Sequence, residues 1–302
     1  MKSAVDHIIF IVKDLKPSIE CYKILLGRNP SWKGSHPAFK TKNALFRLNN
    51  TYIELLADAS EDNDSATEST FVKDYLAQNK PGLAGLCFGT PNASEMVTHM
   101  QRQGIEALGP MPGEGKDELS GAVRHWLNVF WPNSASRGLW TFGIQHLDSL
   151  DTLPMSSVTS SPSGTKNENM VVDAVDHVVI QTGSLEAAKK FYGEALGIRL
   201  ALELPNHPLG NLLFFKTTTE NKLVLEVIQS KDNKEEVKDE DKFWGIAYKT
   251  PNVDATQERL VTSGVKVSEV RRGMKPGTRV CTVKSHNLGV PTLLIGPDSS
   301  KM

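Results

Sequence analysis

His7 and Glu54 carry the side chains best suited to chemistry in this chain, and the chain repeats them as His177 and Glu226. Imidazole nitrogen and carboxylate oxygen are common protein ligands for a divalent ion, and the same groups move protons. Each histidine follows an aspartate in an apolar run: Ala4-Val5-Asp6-His7-Ile8-Ile9 returns as Ala174-Val175-Asp176-His177-Val178-Val179. Each glutamate lies among aliphatic residues, in Tyr52-Ile53-Glu54-Leu55 and Val224-Leu225-Glu226-Val227. A carboxylate in such a run is costly to bury unless a cation or hydrogen-bond donors meet it. Strand alternation gives His7, Ile9 and Ile11 one face, and Tyr52, Glu54 and Leu56 another. The local alternative for either histidine is a hydrogen bond to its neighbouring aspartate.

Further candidates lie between these pairs. His36-Pro37 with Asn43 recurs as His207-Pro208 with Asn211, each on a connection entering a strand. Such connections often carry binding residues, and Pro and Asn equally suit turns. Arg124 and Trp126 alternate with His125, so they share a face; an arginine beside an aromatic ring suits a carboxylate or enolate attached to a flat apolar body. Arg271, Arg272, Lys275 and Arg279 crowd the corresponding part of the second half, as an anion-binding rim or a solvated basic loop.

Short strands and amphipathic helices must position these residues. Thr90-Pro91-Asn92 recurs as Thr250-Pro251-Asn252, and Gly104-Ile105 as Gly264-Val265, so each half divides again. Four units begin near Val5, Leu83, Val175 and Trp244, each with a β-prone strand and then a helix. In the first helix Ile19, Tyr22, Leu25 and Leu26 form the apolar stripe and Gly27 ends it. Asn92 with Glu95 resembles a capping box for the second, Ser184 caps the third, and Asp254 starts the fourth. Strands follow each helix, giving βαβββ four times.

The 302 residues make two domains a reasonable expectation, 1–148 and 171–302, joined by a flexible linker, 149–170, rich in Ser, Thr, Pro and Gly. Residues 58–69 and 231–242 read as solvated loops. A net charge of −1 argues against nucleic acid or an anionic membrane as partner. The first apolar run is too short for a signal peptide, and three scattered cysteines fit reduced thiols, so a cytoplasmic protein is expected, as monomer or homodimer. No glycine-rich phosphate loop or serine-nucleophile signature is present, so no nucleotide cofactor is expected.

Four βαβββ units, an Asp-His opening strand and a closing strand with a central Glu resemble the vicinal-oxygen-chelate superfamily, which includes glyoxalase I and the extradiol dioxygenases. Residues 1–148 more narrowly resemble the glyoxalase-like domain family. That resemblance rests on His36-Pro37, Thr41, Asn43-Ala44-Leu45, Tyr52-Ile53-Glu54, Asp117, Arg124, Trp126 and Trp140-Thr141-Phe142-Gly143-Ile144-Gln145. It implies an α+β fold of four βαβββ modules forming two half-open mixed β-barrel cups, each with a small-molecule site on its concave face. It also implies a divalent ion (Zn, Ni, Mn or Fe) on His7, Glu54, His177 and Glu226, with Glu54 or Glu226 moving protons. His36, Asn43, Arg124, Trp126, His207 and Asn211 would then contact substrate. The implied reaction is a lyase or isomerase step on an α-hydroxycarbonyl or thiol adduct. The alternatives are a metal-free small-molecule binder and an extradiol-type dioxygenase.

The second and fourth units depart from the pattern. Gly85 and Gly245 stand where a histidine would open the strand. An adjacent-unit cup then holds one His and one Glu, completed by His125, His146, His286 or water. Pairing the first unit with the third would gather all four ligands, against the usual adjacency of consecutive elements.

Overall fold

In the computed structural model, which describes residues 3–60, 70–118, 120–160, 166–217, 223–231 and 237–298, the four units are realised as sixteen strands and five α-helices. The first is β1 (Ala4–Ile11), α1 (Leu15–Leu26), β2 (Trp32–His36), β3 (Thr41–Arg47) and β4 (Tyr52–Asp58). A short helix the sequence reading lacked, α2 (Phe71–Gln78), leads to the second: β5 (Gly82–Gly89), α3 (Ala93–Arg102), β6 (Leu108–Asp117), β7 (Val123–Phe130) and β8 (Trp140–His146). The third has β9 (Ala174–Gln181), α4 (Leu185–Ala188) running into a π-helical stretch (Lys189–Ala195), β10 (Arg199–His207), β11 (Gly210–Lys216) and β12 (Val224–Ser230). The fourth has β13 (Lys242–Lys249), α5 (Val253–Thr262), β14 (Arg271–Arg272), β15 (Thr278–Val283) and β16 (Thr292–Pro297).

Local chemistry sets the helix ends. Ile19, Tyr22, Leu25 and Leu26 are buried on α1, and Gly27, at φ 69°, returns its N–H to Lys23 O. The Asn92 side chain accepts from Glu95 N, and Ser184 accepts from Ala187 N. The fourth helix starts earlier than expected: Asn252 accepts from Ala255 N and is the cap, while Asp254 falls in the first turn.

Consecutive units pair. The first eight strands close into a barrel, in the order β1-β4-β3-β2-β6-β7-β8-β5. The second eight form an open sheet, β10-β11-β12-β9-β13-β16-β15-β14. His7 and Glu54 therefore belong to one cup and His177 and Glu226 to another. The arrangement with all four ligands at one site is not adopted, because β1 pairs with β4 and β5 while β9 pairs with β12 and β13.

One apolar core spans both halves, from Tyr22 and Phe46 to Tyr192 and Tyr248. Across the junction Asn50 bonds Val175 in both directions, and Arg259 donates to the α1 carbonyls of Ile24 and Leu25 at 2.6 and 3.0 Å. The connection 149–170 is not a free tether where it is described. Leu153 and Val158 are buried, and Arg28 donates to Ser156 O at 2.9 Å and Val172 O at 2.5 Å. Its average composition hides two apolar anchors and the Ser156 carbonyl, which accepts from a buried guanidinium. Residues 161–165, with 61–69 of the first loop and 232–236 of the second, lie outside the described residues.

Candidate functional site

The barrel of the first half encloses a cavity of about 310 Å³. The parallel register of β1 and β4 sets His7 opposite Tyr52 and Ile9 opposite Glu54. Inward alternation then turns His7, Ile9, Tyr52, Glu54 and Leu56 to the same interior. From β3 come Asn43 and Leu45, and from β7 come Arg124, Trp126, Asn128 and Phe130. Trp140, Phe142 and Ile144 of β8 complete a largely aromatic wall.

A chain of ionisable groups crosses one end of this cup. His7 Nδ1 donates to Asp6 Oδ1 at 2.7 Å, and its Nε2 faces Glu54 Oε2 at 3.4 Å. Glu54 Oε1 accepts from Asn43 Nδ2 at 2.8 Å. His146 Nε2 donates to Asp6 at 3.0 Å, and Arg124 Nη2 reaches His146 Nδ1 at 3.4 Å. The imidazole of His7 stacks on Tyr52, with centroids 4.5 Å apart.

The environment fixes the charges. Burial disfavours ionised Glu54, but donors from His7 and Asn43 outweigh it and hold the carboxyl at about 2. Burial likewise opposes the Asp6 charge, and His146 and His7 hold it well below the usual carboxylate range. For His7 burial disfavours the cation, while its acidic neighbours, the Asp6 carboxylate among them, push its pKa upward. His7 thus lies between two carboxylates, Asp6 and Glu54. Burial lowers His36, leaving it neutral; its Nδ1 pairs with Thr41 Oγ1 at 2.9 Å and its ring meets Trp126 edge-on.

The donor set does not fit a metal ion held by several protein ligands. Among the described residues only His7 and Glu54 form a facing His–Glu pair in this cup; Asn43 points its NH₂, which cannot ligate, at Glu54, and His36, which also lines the cavity, is engaged by Thr41 and Asn43. Across the cup Phe142 meets the His7 ring edge-to-face, with centroids 6.1 Å apart. Gly85, at the position where the family pattern has another ligand, makes room for the Trp140 ring: a Cβ there would lie 2.6 Å from it. Among the described residues no group of three His, Cys, Asp or Glu side chains could hold an ion. Of the possible completing histidines, His146 reaches the cup edge as a partner of Asp6. His125 is exposed beside Asp148, and His286 bonds Ser285 in the other half.

The second half brings its candidates together less tightly. His177 bonds Asp176 at 2.8 Å and faces Glu226 at 3.5 Å, while Lys249 also reaches Asp176 at 3.2 Å. Burial raises the Glu226 pKa, and no side-chain donor compensates. His207 accepts from Leu209 N, and Asn211 ties Asn206 N to Gln229 Oε1; this is turn chemistry. Arg271 and Arg272 are exposed on β14, and Arg279 pairs with Asp254 at 2.6 Å.

The sequence reading missed Trp32, Asn128, Phe130 and the apolar role of Trp140 and Phe142. Carrying the Arg124, Trp126 alternation two steps further gives Asn128 and Phe130. Trp140 and Phe142 were read as family motif, yet their alternation already placed both on one face.

Residues 5–171 match the family model described as glyoxalase-like domain. Residues 174–287 match that of the glyoxalase/bleomycin resistance protein/dioxygenase superfamily. Among solved structures, a hypothetical protein from Staphylococcus aureus aligns over 97% of this chain and 98% of its own, at 13% identity and TM-score 0.64. A mutant of 4-hydroxymandelate synthase from Streptomyces coelicolor aligns over 98% and 93%, at 14% identity and TM-score 0.66. At these identities the likeness is one of fold. No curated protein matches the chain by sequence. No helix among the described residues is long and apolar enough to cross a membrane.

Proposed function

This chain belongs to the glyoxalase-like domain family, and from that premise we propose that its first half binds a small, flat, largely apolar oxygenated compound without a protein-held metal ion. The observation that carries this reading is the closure of Glu54 on His7 and Asn43 at the end of an aromatic cavity. A carboxyl held near 2 is a weak base at neutral pH, because proton transfer is most efficient when the catalytic pKa lies near the working pH. Glu54 therefore serves as a fixed charge that holds His7 and Asn43 in place at the end of the cavity. The apolar wall supplies the binding energy, at roughly 25 cal/mol per Å² of surface removed from water.

A second reading keeps the chemistry the family suggests: a metal-dependent lyase or isomerase acting on an α-hydroxycarbonyl or thiol adduct. Its support is that His7 Nε2 and Glu54 Oε2 face each other, with Asp6 behind the ring as an orienting carboxylate. Extradiol chemistry would need a second histidine facing the same ion, and the described residues bring none there.

Three of the five tryptophans, Trp32, Trp126 and Trp140, line the cavity, so their emission reports occupancy. Titration with 2-naphthol is expected to quench it saturably, and Leu56→Phe, which fills the cup, to abolish the effect. Elemental analysis of protein purified without chelator decides between the readings. Near one equivalent of a divalent metal, lost in His7→Ala and in Glu54→Ala, would move the function to the lyase.

A further inference from the structure

The cavity holds a buried cation without an ion-pair partner and a buried amide oxygen without a hydrogen-bond partner among the described residues. Arg124 is 7% exposed, and its guanidinium lies 5.7 Å from the Trp32 ring and 5.8 Å from that of Tyr52. Its hydrogen bond is the long one to His146, and no carboxylate forms an ion pair with it among the described residues. Asp6 and Glu54 are already committed to His7, His146 and Asn43. A buried guanidinium without a contact ion pair is costly; Asp148 acts on it only through space, from a half-exposed position, and ring faces offset only part of that cost. Four residues along the same strand, Asn128 is 4% exposed, and its buried Oδ1 has no hydrogen-bond partner. Both side chains line the cavity, with Trp126 between them.

We propose, resting on the small-molecule reading of this cup, that the ligand is a flat apolar carboxylate with a hydrogen-bond donor at its far end, its carboxylate held by Arg124 and its donor by Asn128. One guanidinium matches one carboxylate through two parallel hydrogen bonds. A phosphate dianion would call for further cations, and the remaining lining is aromatic, aliphatic, imidazole, hydroxyl or amide apart from Glu54. Residues four apart on a strand are separated by about 13 Å between Cα atoms. After both side chains reach inward, that span suits a molecule about two fused rings long. Trp126, Phe130 and Phe142 supply flat surfaces along it.

The probes are 6-hydroxy-2-naphthoate, 2-naphthoate lacking the donor, and 6-hydroxy-2-naphthamide lacking the charge, each titrated calorimetrically into the full chain. Loss of the charge is expected to weaken binding tenfold or more, and loss of the hydroxyl about threefold to tenfold. In Arg124→Gln the acid and the amide should converge. In Asn128→Leu the two acids should converge while the acid keeps its advantage over the amide. Equal binding of acid and amide to the unaltered protein overturns the proposal and leaves the small-molecule reading standing. An acid preference that survives Arg124→Gln overturns the assignment of the clamp. Failure of all three probes to bind at millimolar concentration overturns both.

Discussion

The two halves carry the same Asp-His pair and the same glutamate, yet only the first closes around them. In the first, β6 runs for ten residues and its end pairs with β2 at Gly34 with Asp117 and Ser35 with Lys116. In the second, β14 has only two residues, and β10 is left as the opposite edge of an open sheet. The carboxylates diverge in consequence. Glu54 is more buried than Glu226, their side chains being 9% and 16% exposed, yet Glu54 is held low and Glu226 is raised. The difference lies in donors. Asn43 points at Glu54, whereas Asn211, its counterpart, is spent on the hairpin and Gln229. Ionisation follows the hydrogen bonds offered to the charged form more closely than it follows depth of burial.

The sharpest way to break this comparison is to remove each histidine. His7→Ala leaves Asp6 and Glu54 buried without the ring that both face, and should cost about 3–5 kcal/mol in urea unfolding. His177→Ala leaves Asp176 with Lys249 and lets the half-open Glu226 take a proton. Its cost should be about 1 kcal/mol or less. Equal losses would mean that closure of the first cup does not govern the energetics of the pair.

The pH dependence should have opposite signs in the two halves. Glu54 has a depressed folded pKa, so its contribution is full above its unfolded value of 4.5 and is lost as pH falls toward about 2. The stability difference between the natural protein and Glu54→Gln should therefore shrink across that window, by roughly 3 kcal/mol in all. Glu226 has a raised folded pKa, so folding favours its protonated form. Relative to Glu226→Gln, the natural protein should lose stability as pH rises above 4.5 through that raised value. Chemical unfolding of the three proteins from pH 2 to 8 checks both slopes; parallel curves would remove the distinction.

Much of this was legible in the sequence, for reasons that particular residues show. The Asp-His and Glu runs repeat, so four units and two cups follow from alternation and the helix caps Asn92 and Ser184. Arg124 and Trp126 could be assigned to one face because β7 is regular. Closure could not be read, since it depends on the length of β6 against β14, and both stretches are glycine- or charge-rich with little apolar alternation. The donor at Glu54 was hidden for a similar reason. His36 with Asn43 and His207 with Asn211 look alike in sequence, and only the register of β3 against β4 turns the first amide onto a carboxylate. Gly85 read as a missing ligand; its role is to leave space for the Trp140 ring.

The seam that closes the first cup offers the smallest and most local test. At Gly34 an added Cβ would lie 2.4 Å from Lys116 O and 2.5 Å from Trp32 Nε1, so the close approach of β2 to β6 requires glycine. Gly34→Ala must push the strands apart or displace the indole, at a cost of about 1–2 kcal/mol. Water then gains access to Arg124 and Glu54 through the loosened side. Binding of 2-naphthol should weaken several-fold, and tryptophan emission should shift to the red as Trp32 loses its packing. On the open edge of the second half, Leu202 is 48% exposed, and Leu202→Ala should change stability by less than about 0.5 kcal/mol. Unchanged ligand affinity in Gly34→Ala, at reduced stability, would show that the cup works without its seam, and the contrast between the halves would then rest on Asn43 alone.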